Sequence, residues 1–284
     1  MKKLLSIVLT IVMAISLCGC TSKSTEKITQ VSELKDKNLG ICTFSDSFDA
    51  NAMKDTFTKL TGVKINSIAA YDTGTDKAIL SLQSGKISAL VTASFEADYY
   101  SKMNDKFGTI DFPEYPVNLV AFMGVSKNQT EAYDILNSAI TEYKGNGTLS
   151  ELVDKYVTNL TKETQEEKIT MPKKEGAKTI KVAITGSAMP LDYFDSEGNP
   201  AGFDIALLAK IAEEKGVNFE ISTYEPNGGL AAVTSGKADV YFCLNADKKN
   251  YETGNCKSSL EKLYNIKATD FYFESSGMKF IVNK

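Results

Sequence analysis

The sequence contains no histidine, no tryptophan and no arginine, so all 32 basic residues are lysine. Each absence excludes a class of chemistry. Without histidine there is no serine–histidine–acid triad and no imidazole metal site, and any acid–base work near neutral pH falls to Asp, Glu, Lys or Tyr. No pair of carboxylates stands at a spacing that suggests catalysis. Without arginine there is no planar fork to grip a carboxylate or phosphate at two points, because a lysine ammonium is only a point charge. The formal net charge is −4 and the pI about 5.2, which disfavours a nucleic-acid partner. We therefore expect no catalytic residues, no metal and no cofactor.

Hydrophobic residues run together at the start, in MKKLLSIVLTIVMAISLCGC. A basic opening precedes an apolar stretch too short for a comfortable membrane span, and a small residue precedes a cysteine. Leu17, Cys18, Gly19 and Cys20 resemble a bacterial lipobox. On that reading residues 1–19 are a lipoprotein signal peptide, Cys20 carries the lipid (palmitate among its acyl chains), and the polar residues 20–30 are a tether. The plainer alternative is an ordinary secretory signal. Both export the chain, and loss of Lys2 and Lys3 leaves a net charge of about −6. Cys42, Cys243 and Cys256 remain, an odd number that permits a single bridge or buried free thiols.

The most informative stretch is Thr179 to Asn245. TIKVAI is β-branched and apolar enough for a buried strand, and DSEGNPAG is a polar turn. Gly202 then opens a helix with Asp204 in its first turn, where the positive end of the dipole favours a carboxylate. Phe203, Leu207, Leu208 and Ile211 share its apolar stripe, Gly216 ends it, and VNFEIS is the next strand. Strand, helix and strand at this spacing make a parallel α/β unit, whose ligand crevice lies beyond the carboxyl ends of the strands. Here Thr185 to Leu191 would line it.

The order of a strand, a Pro-containing loop, Gly-Phe-Asp opening a helix, SGKAD before the next strand, and the aromatic segment TDFYFESSGMKFIV resembles the amino-acid-type extracellular solute-binding proteins of ABC importers, solute-binding family 3. The family's second lobe opens with a phrase similar to LKDKNLGICTF. AILSLQSGKISALV and VNLVAFMGVSK continue the likeness, the latter resembling the strand that returns to the first lobe. The two helices expected over Thr130–Tyr143 and Thr148–Val157 resemble the way the family finishes, yet here they stand mid-chain. The resemblance thus implies an α/β, two-lobed, periplasmic-binding-protein-like (type II) fold with a ligand cleft between lobes and a permuted lobe order. Residues 31–125 are then lobe two, 126–160 the family's C-terminal helices packing back on lobe one, 161–178 a charged linker between former termini, and 179–284 lobe one. The new ends, near residue 30 and at Lys284, are expected to meet at the hinge.

By the same resemblance, the family's ligand clamp falls on unsuited residues. Its arginine place falls near Tyr251, its lobe-one acid at Thr185, its stacking aromatic at Ala188 and its lobe-two acid at Ala93. The expected ligand-binding set is Thr185, Ser187, Ala188, Met189 and Tyr193 from the first loop, and Cys243, Asn245, Ala246, Asp247 and Lys248 from the second. Lobe two adds Phe44, Ser45, Ser47, Thr92 and Ser94. Lys248 or Lys249 would stand in for the arginine, and Asp247 or Glu96 for the acids; any of these charges could equally be a solvated surface group, and Met189 and Phe44 plain core. The implied function is a monomeric, lipid-anchored protein on the outer face of the cell membrane that delivers a small solute, an amino acid or a related polar molecule, to an ABC permease. Two alternatives are a surface sensor or partner-binding protein with a degenerate pocket, and a dehydratase-like enzyme on the same fold.

Overall fold

The computed structural model describes residues 27–42, 49–71, 75–165, 167–225 and 228–284. The expectations for Cys20, Phe44, Ser45 and Ser47, and for the Cys243 side chain, lie outside the described residues. After a 3-10 turn at Val31–Leu34, the chain forms β1 (Asn38–Cys42), α1 (Ala50–Thr61), β2 (Ser67–Tyr71), α2 (Thr75–Gln83), β3 (Ala89–Ala93), α3 (Ser94–Met103) and β4 (Phe107–Phe112). It continues with β5 (Asn118–Ser126), α4 (Thr130–Asn146), α5 (Thr148–Val153) and, past a widened turn at Asp154–Thr158, α6 (Lys162–Gln165). The remainder is β6 (Thr179–Ile184), β7 (Ser187–Ala188), β8 (Asp192–Phe194), β9 (Pro200–Ala201), α7 (Phe203–Lys215), β10 (Asn218–Thr223), α8 (Gly228–Thr234) and β11 (Val240–Asp247). It closes with α9 (Lys248–Glu252), α10 (Asn255–Tyr264), β12 (Ile266–Ala268), β13 (Phe273–Ser276) and β14 (Met278–Asn283).

Two sheets of the same plan organise these elements. One has the order β2-β1-β3-β14-β4 and the other β10-β6-β11-β5-β12, with β13 also on β5. In each, the first three strands are parallel and the fourth runs against them. That fourth strand comes from the other half of the sequence. β14 lies between β3 and β4, pairing Phe280 with Val91 and Ile110, while β5 lies beside β11, pairing Ala121 with Asn245. Each lobe is thus closed by a strand that has crossed over, and the chain passes between lobes at residues 113–117 and at Gly277. SLQSGKISALV and AVTSGKADVYF occupy matching places, each leading a helix through a left-handed glycine (Gly85 and Gly236, φ +72° and +75°) into the third strand.

Burial follows the amphipathic pattern. Phe203, Leu207, Leu208 and Ile211 of α7 are fully buried and share a core with Phe242, Tyr272, Tyr143 and Leu136. The helices α4 and α5 therefore pack on lobe one. In lobe two, Phe57, Phe112 and Phe280 pack with ring centroids 4.7–6.1 Å apart beside Leu34, Leu39 and Ile65. No helix among the described residues is long and apolar enough to cross a membrane.

The expected meeting of the chain ends at the hinge is corrected. β14 begins beside the hinge, opposite Ala93 and Phe112, and runs away from it until Asn283 pairs with Phe107 and the Lys284 amide reaches the Lys106 carbonyl. β1 starts at that same far edge, where the Asn38 carbonyl accepts from Ser88. Ile28 and Leu34 share the apolar cluster of Val282, so both ends belong to the edge of lobe two opposite the hinge. The reason is antiparallel pairing: a strand that enters the sheet at the hinge must leave at the other side.

Gly202 fixes the start of α7 against the loop before it. The amides of Phe203 and Asp204 donate to the carbonyls of Pro190 and Leu191, at 3.1 and 2.8 Å, satisfying helix donors that would otherwise lack partners. With φ +103° and ψ 179°, Gly202 sits in a region that only glycine adopts, and a Cβ there would lie 2.4 Å from the Leu191 oxygen. Gly202→Ala is expected to cost about 3 kcal/mol or more in urea unfolding, whereas Gly198→Ala, at φ +80° with open space around it, costs only about 1 kcal/mol.

Candidate functional site

The carboxyl ends of β1 and β3 and the first turns of α2 and α3 form the lobe-two face of the crevice. Glu96 is its centre. Its carboxylate accepts from the Thr75 hydroxyl at 3.3 Å and, very closely, from the Thr92 hydroxyl, while the Cys42 thiol points at Thr75, 3.6 Å away. Asp76, on the same turn as Thr75, accepts from the Tyr100 hydroxyl at 3.0 Å. Burial of the carboxyl group raises Glu96 to about 7; the two threonine hydroxyls oppose the rise and the charge of Asp76 adds to it. Burial, followed by the charge of Glu96, pushes the Cys42 thiol up to about 12, so this free thiol is unreactive at neutral pH.

The lobe-one face is the Thr185–Asp192 loop, which contains a cis peptide between Met189 and Pro190. Asp192, fully buried, gathers it: Oδ1 accepts from the Thr185 hydroxyl at 2.9 Å and the Ala188 amide at 3.2 Å, and Oδ2 from the Thr185 amide at 3.2 Å. The Ser187 amide reaches the Thr185 hydroxyl at 3.4 Å. Burial raises the Asp192 carboxyl above the usual range, against the pull of these donors.

The expected site residues therefore divide. Thr185 and Ala188 come together on Asp192, Ser187 joins them through the Thr185 hydroxyl, and Met189 of that loop packs against the lobe-two cluster that includes Tyr99 and Tyr100. Thr92, almost fully buried, holds Glu96, and Ser94 sits at the hinge with its amide on the Gly277 carbonyl. Tyr193 is buried and its hydroxyl donates to the Gln165 carbonyl, 3.4 Å away. Along β11, Cys243 lies where the register with β5 shifts, Asn245 is exposed, and Ala246 packs among lobe-one side chains. Asp247 caps α9 through the Asn250 amide, and Lys248 forms an ion pair with both oxygens of Glu274 at 2.8 Å. Tyr251, near the family's arginine place, is buried and gives its hydroxyl to the Thr269 carbonyl.

Residues outside the expected set matter as much. Thr75 and Asp76 open an ordinary amphipathic helix and carry no motif. Asp192 carries no motif in the sequence, and only the fold reveals that three donors converge on it. Glu96 was legible as a possible acid, one helical turn beyond Ala93, where the clamp residue is missing.

Two α/β lobes joined by two hinge passages, with their strand ends facing a shared crevice, define the class as a two-lobed, periplasmic-binding-protein-like protein. Residues 180–250 match the family model of bacterial extracellular solute-binding proteins, family 3, which is the resemblance the sequence motifs carry. Among solved structures, a putative L-cystine ABC transporter protein from Listeria monocytogenes aligns at 15% identity over 90% of this chain and 84% of its own, with a TM-score of 0.44. A probable amino-acid ABC transporter extracellular-binding protein from Bacillus subtilis aligns at 14% identity, over 91% and 86%, with a TM-score of 0.43. An ancestral arginine-binding protein bound to arginine aligns at 16%, over 88% and 86%, also with a TM-score of 0.43. No curated protein matches the chain. The family match supports a solute-binding role.

A carboxyl group raised on folding holds its proton more tightly in the folded state than in the unfolded one. The associated stability is present below pH 4.5 and lost as the pH rises to about 7, by roughly 3 kcal/mol at most. Glu96→Gln is expected to flatten that part of the pH–stability curve, measured by urea unfolding from pH 4 to pH 8.

Proposed function

We propose that the protein is a lipid-anchored, extracellular solute-binding protein that captures a small polar solute between its lobes and presents it to an ABC permease. The observation that carries the reading is the crevice itself. Loops from two separate lobes converge on it, and the Glu96–Thr75–Thr92 group lies at the carboxyl ends of β1 and β3, where α/β sheets bind ligands. The candidate contacts are Thr185, Ser187, Ala188 and Met189 from one side and Thr92 and Ser94 from the other, with Asn245 to Lys248 at the edge. Glu96, raised by burial, accepts a hydrogen bond or a positive group from the solute. With arginine absent and Lys248 held by Glu274, the free α-carboxylate of an ordinary amino acid finds no two-point partner. The solute class is thus a polar molecule rich in donors.

We further propose that the lobe order is a circular permutation, with residues 161–178 joining what were termini. The support is the matched strand order of the two sheets, each completed by a strand from the other half. The lipobox supports anchoring through Cys20. Cys20→Ser is expected to move the protein from the membrane fraction to the culture supernatant, as read by immunoblot of fractionated cells.

A second reading has its own observation: Met189, from the lobe-one loop, packs against the buried apolar cluster of lobe two and so occupies space between the lobes. On that reading the cleft is degenerate and the protein acts as a surface sensor or binds a partner. Native mass spectrometry of the lipid-free domain, followed by a thermal-shift screen of amino acids, amines, polyols and carboxylates, separates the two. Solute binding predicts a retained mass or a stabiliser that loses at least about tenfold affinity in Glu96→Gln. An unliganded mass and no shift across the panel favour the degenerate cleft.

A further inference from the structure

Residues 161–178 are expected to be only a charged connector following the helix, and a connector needs nothing beyond polarity and length. Asp154–Gln165 does more. Tyr156 and Val157 pack on the lobe-one core, and the next residues cross to lobe two. There the Lys102 ammonium donates to the Thr158 carbonyl at 2.6 Å, and Leu160, 5% exposed, inserts beside Ala97, Tyr99 and Ile79. Gln165 then ties the lobes to each other. Its side-chain amide nitrogen donates to the Tyr99 hydroxyl of lobe two at 2.7 Å, while its backbone carbonyl accepts from the Tyr193 hydroxyl of lobe one at 3.4 Å. Beyond it the chain is drawn back, with Lys155 paired to Glu167 at 2.7 Å and Ile169 and Met171 on the lobe-one core.

From this geometry we propose that Asp154–Gln165 is a latch. It is a third connection between the lobes, besides the two hinge passages, and it holds the crevice closed. Opening by hinge bending separates Tyr99 from Tyr193, so it must first break the Gln165 bridge and withdraw Leu160 from lobe two. A buried apolar anchor followed by a residue bonded at both ends resists separation, whereas a solvated linker yields without cost. The closed arrangement, with Met189 lodged in lobe two, is therefore the resting state of the chain, and the latch sets how often the crevice opens.

Hydrogen exchange by mass spectrometry on the full mature chain tests this without knowledge of the ligand. The readout is the exchange of the facing segments, residues 95–103 and 187–193, relative to the core strands β5 and β11. Leu160→Ser and Gln165→Ala are each expected to speed the facing segments at least about tenfold relative to the core strands. Gln165→Ala removes only the side-chain hydrogen bond to Tyr99 and leaves the backbone bond to Tyr193, which cuts the lobe-two end of the bridge, so it remains informative if Leu160→Ser loosens the whole fold. Ile169→Ala, which trims the same stretch on lobe one alone, should leave the ratio as in the wild type. An unchanged ratio in both latch variants, or an equal change in Ile169→Ala, would overturn the proposal.

Discussion

The exchange of one strand between the halves of the chain is the constraint on which the other features depend. A sheet of three parallel strands leaves the backbone donors and acceptors of its third strand unpaired on one side, and in each lobe the partner arrives from the opposite half of the sequence. Because β14 and β5 both run against their neighbours, each must enter its sheet at the crevice and leave at the far edge. This fixes two passages side by side at residues 113–117 and Gly277, and with them the axis about which the lobes face each other. It also keeps the carboxyl ends of β1, β3, β6 and β11 on one common crevice.

The crevice carries its polarity unevenly. The lobe-one loop is a self-satisfied structure in which Asp192 takes up the donors of Thr185 and Ala188, and α7 anchors it through the carbonyls of Pro190 and Leu191. The lobe-two face keeps a carboxyl group whose nearest donors are two threonine hydroxyls. Opposite charges at two fixed points, which a zwitterion requires, are not what these residues provide. Lysines at the rim are engaged elsewhere, Lys248 by Glu274 and Lys279 by Asp98. A crevice of this kind selects by hydrogen bonding to one lobe and by shape against the other.

Much of this is legible in the residues themselves. The apolar stripe of α7, the glycines that stop α4 and α7, and the matched SGK turns are local features, set by side-chain periodicity and by backbone conformations that glycine adopts freely. The lobe-one loop was also legible as a crevice element, because it follows a buried strand. The clustering on Asp192 and the enclosure of Glu96 were not, since each needs residues from distant elements brought within hydrogen-bond reach. The widened turn at Asp154–Thr158 falls in the same class. The sequence reads there as a continuing helix, and only packing on both lobes bends it away.

The amino-acid sequence by itself determined one parallel α/β unit and the exclusion of histidine and arginine chemistry, because composition and short-range pattern suffice for these, and its motifs carried the family likeness of residues 180–250 that implied two lobes. The tertiary structure alone decided that Ile28 and Lys284 lie at the edge of lobe two away from the hinge, that Tyr193 serves the connecting segment, and that Glu96 becomes a carboxyl group raised to about 7. The physical reason is range. Strand direction, burial and the electrostatic environment of a group depend on what lies beside it in space, and those neighbours are Thr75, Thr92 and Asp76 for Glu96 and Gln165 for Tyr193.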